Sequence, residues 1–140
     1  MSFFQASLPN TVSAIKVAYL SRHRYTIIPT TRYTRAVLLK LVDVGFLTTI
    51  SKYHSKSASR KIRGFTHKNY YKVYLNYYNS LSNFSDIILM STNRNAMSIN
   101  YKYLINFRLT RRGIIILSTP RGILTDNEAI KFRTGGIVLL

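Results

Sequence analysis

The chain has no cysteine and only four acidic side chains in 140 residues. The absence of cysteine excludes disulfide bonds, thiolate nucleophiles and thiolate metal ligands. Asp43, Asp86, Asp126 and Glu128 are the only carboxylates, so few parts are present for a catalytic constellation. No apolar run approaches the roughly 18 residues of a membrane span, and Met1 to Leu8 is too short and uncharged for a signal peptide. We therefore expect neither a membrane protein nor a secreted one.

Positive charge dominates what is present. Lysine and arginine number 21, which gives a formal net charge of +17. Self-repulsion at this charge opposes compactness unless a polyanion neutralises it, and release of condensed counterions from nucleic acid favours binding. The composition therefore predicts a nucleic-acid partner, and neither a membrane nor a small-molecule substrate.

The length and hydrophobic content indicate a folded chain. A hydrophobic fraction of 46% supplies material for a core, and 140 residues fit one domain or two small subdomains. We predict an α+β fold of two small interlocked subdomains. Residues 1–78 form an N-terminal αβαββ subdomain with two helices on a three-stranded sheet, 79–85 form a connector, and 86–140 form a mostly β subdomain with one short helix.

The N-terminal half carries an alternation of helix and strand signals. A stripe of apolar residues from Val12 to Tyr19 has helical spacing, and Thr30 and Thr31 are N-cap candidates for a second helix that Gly45 ends. The predicted elements are a helix at Asn10 to Leu20, a strand at Tyr25 to Ile28 ended by Pro29, the second helix up to Gly45, and strands at Phe46 to Tyr53 and Tyr70 to Tyr78. Ser51 to Lys68 is predicted to be an exposed basic loop.

In the C-terminal half, Ile87 to Met90 and Ile99 to Ile105 predict two strands. The last stretch, Gly113 to Leu140, has the clearest signals for turns and for the ends of helices and strands. Its predicted order is a strand at Ile114 to Leu117, a loop at Ser118 to Gly122, a short strand at Ile123 and Leu124, a helix from Asp126, a break at Gly135 and Gly136, and a strand at Ile137 to Leu140. Thr125 and Glu128 have the spacing of a capping box at the start of that helix.

The last stretch also resembles a known family. Its sequence, GIIILSTPRGILTDNEAIKFRTGGIVL, is similar to the C-terminal signature of small ribosomal subunit protein eight, an RNA-binding protein. The matching positions are Ser118, Thr119, Arg121, Gly122, Thr125, Asp126, Glu128, Ala129, Gly135 and Gly136. Pro120 stands where this family usually has a hydroxyl residue, and Ile137 where it usually has Glu. The Pro-Thr-Thr-Arg segment at 29–32 and the Gly-Phe-Leu segment at 45–47 also resemble the family.

The resemblance implies binding to the central domain of small-subunit ribosomal RNA (rRNA), contact with neighbouring small-subunit proteins, and no cofactor. Hydroxyl groups suit ribose 2′-OH groups and base edges, and a guanidinium suits a phosphate. The predicted RNA-binding residues of the loop are Ser118, Thr119, Arg121 and Gly122. A second predicted group is Arg22, Arg24, Thr30 and Arg32. Its three arginines are expected to cluster around the end of the first helix and the start of the second, and surface charge alone would explain them nearly as well.

Enzymatic readings find little support in the sequence. His23, His54 and His67 lack metal-ligand spacing, and capping explains the acids of the last helix, so no catalytic or metal-binding residue is predicted. A basic RNA-binding regulator outside the ribosome and a small nuclease remain as alternatives. Eleven tyrosines are able to stack on bases, although strand tyrosines are more often core or cross-strand partners.

The composition also bears on origin. Tyr, Ile, Asn, Lys and Phe are abundant, whereas Gly, Ala and Pro are scarce. Codons for the first group are rich in A and T, which is typical of a gene in an A/T-rich organelle genome. We therefore predict a place in the mitochondrial matrix, in the small subunit of the mitochondrial ribosome, with a bacterial or plastid ribosome as the alternative.

Overall fold

The computed structural model describes residues 2–53, 69–77, 86–91, 95–110 and 113–140. The chain divides into two compact units, Phe3–Asp86 and Ile87–Leu140. Both units contain helices and antiparallel sheets, so the predicted α+β class is confirmed. The predicted connector at 79–85 lies outside the described residues and stays a prediction.

The first unit has the predicted helix, strand, helix, strand, strand order. Its elements are α1 (Ser2–Leu20), β1 (Tyr25–Thr30), α2 (Arg32–Val44), β2 (Leu47–Tyr53) and β3 (Asn69–Leu75). The strands form an antiparallel sheet of order β1-β3-β2. β3 therefore lies in the middle, and the strand with Pro29 is an edge strand, where the missing N–H of proline is tolerated.

Several boundaries in this unit differ from the predicted ones. α1 begins at Ser2, not Asn10, and contains Pro9 in its interior. Proline is tolerated without cost only in the first turn of a helix, so the sequence predicts a helix that starts beside Pro9. The helix extends further because no other helix-breaking residue lies between Ser2 and Leu8. β1 continues through Pro29 to Thr30, and β3 ends at Leu75 rather than Tyr78. Residues 51–53 belong to β2, and the rest of the predicted loop, 54–68, lies outside the described residues.

Local side-chain chemistry explains the ends of α2. The Thr31 hydroxyl accepts from the Thr34 amide, and the Thr34 hydroxyl accepts from the Thr31 amide at 2.8 Å, which completes a capping box. At the other end Gly45 adopts a left-handed conformation with φ 95, and its amide bonds to the last carbonyls of the helix. The predicted cap and stop of this helix are confirmed.

The core of the first unit is aliphatic. Apolar side chains of all five elements are buried, each fully buried one stabilising the fold by roughly 1.5–3 kcal/mol. The most deeply buried are Ile15, Val37, Leu38, Leu41, Leu47 and Val73. In β3 the residues Tyr71, Val73 and Leu75 are buried, so the alternate residues point to the opposite face of the sheet.

The second unit has more helix than predicted. Its elements are β4 (Ser98–Ile99), α3 (Tyr101–Thr110), β5 (Ile116–Thr119), β6 (Gly122–Thr125), α4 (Asp126–Lys131) and β7 (Gly136–Val138). The strands form a four-stranded sheet of order β4-β7-β5-β6. Its core cluster is Ile99, Leu104, Leu117, Leu124, Ala129 and Val138.

Two strand predictions in this unit are wrong. Residues 87–90 form no strand. The Met90 amide donates to the Leu139 carbonyl, but no ladder of such bonds joins 87–90 to another segment of the described residues. The predicted strand at Ile99 to Ile105 is mostly the helix α3. Asn100 starts this helix, since its side-chain oxygen accepts from the Tyr101 amide and its carbonyl accepts from the Leu104 amide.

Candidate nucleic-acid interface

The predicted RNA-binding loop is a tight β-hairpin turn. β5 pairs with β6 so that Thr119 lies opposite Gly122, which leaves only Pro120 and Arg121 in the turn. Ser118 and Thr119 are strand residues, and the predicted five-residue loop is too long. Proline fixes φ in the turn and Gly122 adopts a φ of 112, a conformation that other residues avoid.

The hydroxyl of Thr119 is hydrogen-bonded within this turn. Its hydroxyl donates to the Gly122 carbonyl at 2.9 Å and accepts from the Arg121 amide at 3.2 Å. The residue is 9% exposed. A hydroxyl has one donor, so Thr119 has no proton left to offer a ligand. The side chain therefore positions Arg121 rather than presenting a free hydroxyl.

Arg121 projects from the turn beside an aromatic ring. The residue is exposed, and its guanidinium carbon lies 5.4 Å from the centre of the Phe132 ring, within the range of a cation–π contact. Phe132 is itself 49% exposed. A ring beside the guanidinium restricts the side-chain freedom of Arg121 before any ligand binds. Sequence reasoning missed Phe132, and no motif marks it.

Phe132 is presented by an unusual helix end. α4 stops at Lys131, four residues before the glycine pair that was predicted to break it. The Arg133 amide bonds to the Ile130 carbonyl and the Thr134 amide to the Ala129 carbonyl, the pattern of a Schellman motif. Arg133 occupies the left-handed position of that motif with φ 51, where glycine is usual. Lys131, Phe132 and Arg133 are consequently all exposed.

The glycine pair has another role, close approach of strands. A Cβ on Gly136 would collide with the Ser118 carbonyl oxygen and lie 2.9 Å from the Thr119 methyl carbon. A Cβ on Gly135 would collide with the Ile99 carbonyl oxygen. These two positions therefore need glycine for space.

An open depression of about 610 Å³ adjoins the hairpin. Its wall includes Ser118, which is half-buried and borders the space where the glycines leave no side chains. The remaining lining residues are Ser98, Ile99, Asn100, Thr119, Pro120, Gly135, Gly136 and Ile137. The lining contains hydroxyl, amide and backbone groups but no charged side chain, so a polar ligand would be held there by hydrogen bonds.

Comparison with known proteins identifies the family to which these features belong. Residues 7–140 match the family model described as ribosomal protein S8. The chain belongs to this family. The predicted resemblance is thereby confirmed, and the match extends over both units of the fold.

The relatives in this family come from several genetic compartments. The chain is 33% identical over 137 residues to small ribosomal subunit protein uS8m of Acanthamoeba castellanii, covering 95% of each chain. It is 29% identical over 133 residues to uS8c of Phaseolus vulgaris, covering 95% of this chain and 94% of the relative. It is 26% identical over 135 residues to uS8 of Blochmanniella pennsylvanica, covering 96% and 95%.

In this member of the ribosomal protein S8 family, the acids of α4 serve the fold. The Thr125 amide donates to the Glu128 carboxylate at 3.0 Å and the Glu128 amide donates to the Thr125 hydroxyl at 3.4 Å, so the predicted capping box is confirmed. Asp126 is buried, with one carboxylate oxygen 4.0 Å from the Arg108 guanidinium of α3. Within the described ranges, no group of three or more potential ligands is arranged to hold a metal ion.

The second predicted group does not form one cluster. Arg22 and Arg24 precede β1, whereas Thr30 ends this strand and Arg32 begins α2. A six-residue strand spans about 20 Å, so the two pairs lie at opposite ends of it. All three arginines are exposed, but Thr30 is buried. The extended strand therefore separates the two pairs, and their contact with RNA stays a prediction.

Arg22 itself has a defined backbone role. It adopts a left-handed conformation with φ 58, and its amide bonds to the Tyr19 carbonyl at the end of α1. His23, which follows, is exposed, and its carbonyl accepts from the Tyr77 hydroxyl at 2.6 Å. His54 and His67 lie outside the described residues. In the described part of the chain, no helix is long and apolar enough to cross a membrane.

Proposed function

We propose that this chain is a structural constituent of the small ribosomal subunit that binds the central domain of small-subunit rRNA and supports its assembly. The observation that carries the proposal is the family match over residues 7–140. The relatives are named small ribosomal subunit proteins, and a net charge of +17 suits a partner rich in phosphates. Its partners are the rRNA and neighbouring small-subunit proteins, and the chain itself has no catalytic role.

The hairpin turn supplies the chemistry for this binding. Ser118 at the wall of the depression offers a hydroxyl that donates to and accepts from 2′-OH groups and base edges of an irregular RNA helix. Arg121 binds a phosphate with its planar fork while Phe132 supports it. Thr119, Pro120 and Gly122 contribute by holding the turn in shape.

We place the chain in the mitochondrial ribosome. The 33% identical relative is a mitochondrial form, while plastid and bacterial forms lie between 26% and 29% identity among those described above. The A/T-rich codon preference of the composition agrees with an organelle gene.

Sedimentation of the tagged chain through a high-salt sucrose gradient tests the function. The protein should migrate with small ribosomal subunits, because an rRNA-bound constituent is retained when loosely bound factors are stripped. A free pool with none in the small subunit would contradict the proposal and favour the regulator outside the ribosome.

The role of the turn is tested with a fragment of the central domain of the rRNA. Ser118→Ala should lower affinity several-fold with an unchanged melting temperature, whereas Ser13→Ala, at an exposed position of α1, should change neither. Arg121→Ala should reduce the salt slope of binding by about one phosphate. Equal affinities and slopes for all variants would remove the turn from the interface.

A further inference from the structure

The sheet of the first unit has an unusual outer face. Residues that alternate with the buried Tyr71, Val73 and Leu75 point away from the core, and the strand register aligns their neighbours on β1 and β2. We call this surface the aromatic face. Its aromatic, aliphatic and charged side chains are Tyr25, Ile27, Tyr53, Tyr70, Lys72 and Tyr74, and Pro29, Thr49 and Ser51 share the same face.

Three of the four rings are exposed to solvent. Tyr25 is 44% exposed and Tyr53 and Tyr70 39% each, beside Ile27 at 41%, while Tyr74 is half-buried. The solvent face of an antiparallel sheet normally carries polar side chains, because only the inner face needs apolar residues. Exposed aromatic residues on one face are thus more than the fold requires, and a contiguous group of this kind marks an interaction surface.

The rings form two stations, and a cation lies at one of them. Tyr25 lies opposite Tyr74 in the register, with ring centres 5.9 Å apart, and Tyr53 lies opposite Tyr70. Tyr74 and Tyr70 are four residues apart on β3, about 13 Å at the rise of a strand. The ammonium of Lys72 lies at the first station, 3.8 Å from the centre of the Tyr25 ring and 5.1 Å from that of Tyr74.

The charge of the sheet selects the class of partner. None of its three strands contains an aspartate or a glutamate, and the chain as a whole carries +17. A negatively charged partner is therefore favoured. A partner with flat apolar groups along an anionic backbone would match both the tyrosine rings and the Lys72 ammonium. Unpaired RNA has this chemistry, whereas the bases of a duplex are stacked on one another and closed to the rings.

We propose that the aromatic face binds a single-stranded RNA segment, with bases stacked on the Tyr25–Tyr74 and Tyr53–Tyr70 stations and the Lys72 ammonium at the RNA backbone beside the first station. Binding of this kind is tolerant of sequence, since every base has a π face. It is a second RNA-binding surface, made by different residues and different chemistry from the hairpin turn of the proposed function.

Cross-strand tyrosine pairs also stabilise sheets, and this structural role must be separated from stacking on RNA. Phenylalanine keeps the ring and the packing, whereas leucine keeps an apolar side chain without the flat π surface. The double variants Tyr25→Leu/Tyr70→Leu and Tyr25→Phe/Tyr70→Phe make that separation. Tyr103→Leu is the matched control, because Tyr103 is 57% exposed on α3, outside the sheet.

The experiment measures binding of the full chain to a fluorescein-labelled oligouridine and to an RNA duplex of equal length, at one fixed salt concentration. The leucine double variant should bind oligouridine at least about tenfold more weakly than wild type. The phenylalanine double variant and Tyr103→Leu should bind as wild type does. All three should keep the wild-type affinity for the duplex and for the central-domain rRNA fragment, which also shows that they are folded.

Three results would overturn the proposal. Wild-type affinity of the leucine double variant for oligouridine would show that the rings do not stack on bases. Loss in the phenylalanine variant would assign binding to the hydroxyl groups. Unchanged oligouridine binding combined with failure to join the small subunit would make the face a protein contact. Because Ser118→Ala should change only the rRNA fragment affinity, failure of the turn proposal is distinguishable from failure of this one.

Discussion

The hairpin turn of the second unit and the aromatic face of the first unit are built in opposite ways. The turn depends on part-buried hydrogen bonds and on glycines that admit a neighbouring strand. A substitution that changes the shape of the turn therefore also disturbs the fold. The aromatic face consists of side chains that project from a sheet whose stability comes from its other side. A surface of the first kind is rigid but intolerant of substitution, whereas one of the second kind can change without loss of the fold.

Gly136→Ala should show the largest effect of this difference. The added methyl group would meet the Ser118 carbonyl oxygen, which belongs to a backbone paired on both sides and cannot shift cheaply. Overpacking of this kind costs about 3 kcal/mol at its upper end. Denaturant unfolding should reveal the loss, together with weaker binding to the rRNA fragment.

The comparison for Gly136→Ala is Gly113→Ala, since no atom lies within 4 Å of a Cβ at Gly113. Gly113 has a φ of 155, a conformation that residues with a side chain rarely adopt, so alanine there is strained by the backbone alone and separates backbone strain from collision. Equal stability of Gly136→Ala and wild type would show that β7 and β5 separate readily, which removes the argued rigidity of the turn.

The sequence predicts an element correctly where the residues that determine it are close together in the chain. The ends of α2 and α4 are set by Thr31, Gly45, Thr125 and Glu128, and all four act within a few residues of chain, so reading them locally is correct. α3 was misassigned because Tyr101, Ile105 and their neighbours favour strands, while burial of Leu104 in the core selects the helix. Tertiary contacts of this kind leave no local trace.

The site shows the same division. Pro120 and Gly122 mark the turn in the sequence, and Arg121 lies where they place it. The internal bonding of Thr119 and the support from Phe132 were not predictable, since both depend on backbone positions that the hairpin and the end of α4 create. The four tyrosines of the aromatic face became a surface only when the strand register was known.

Thr119→Val should have the next largest effect. Valine keeps the shape of threonine but loses the bonds to the Gly122 carbonyl and the Arg121 amide, at a cost of about 1–2 kcal/mol. RNA affinity should fall with stability, because Arg121 is no longer held. Thermal unfolding and binding to the rRNA fragment measure the two effects.

Thr119→Ser is the matched control for that substitution, since it retains the hydroxyl. Serine should preserve most of the RNA affinity. If valine and serine behave alike, the hydroxyl of Thr119 does not position Arg121. A change of both Ser118 and Thr119 to alanine should also lower stability, because the hydrogen bonds of Thr119 are lost with it.

The two capping boxes allow the same substitution, a threonine N-cap to alanine, to be compared in the two units. Thr31→Ala removes the cap of α2 in the first unit, and Thr125→Ala removes the cap of α4 in the second. Each change should cost about 1 kcal/mol. Only Thr125→Ala should weaken binding to the central-domain rRNA fragment, because Phe132, whose ring supports Arg121, directly follows α4. Equal RNA affinities of the two variants would contradict this assignment.

The smallest expected effect concerns Tyr77, which joins the end of β3 to the end of α1. Its ring stacks on that of Tyr19 at 5.0 Å, and its hydroxyl donates to the His23 carbonyl. Burial raises the pKa of Tyr77, with a further contribution from Tyr19 and an opposing one from Arg22. The folded state therefore holds this proton more tightly than the unfolded state does, and the contribution to stability is present below the unfolded pKa of about 10 and is lost as pH rises through the folded pKa.

Tyr77→Phe tests that sign. The variant lacks both the hydrogen bond to His23 and the titrating group, so it should be less stable than wild type at about pH 8. As the pH rises from about 8 to above the unfolded pKa of about 10, wild type should lose the contribution of this proton and the gap should narrow. Chemical denaturation at both ends of this range measures the gap, with Tyr103→Phe on α3 as a control for general effects of alkaline pH. A gap that widens with pH would mean that the Tyr77 phenolate is stabilised by Arg22 more than burial disfavours it.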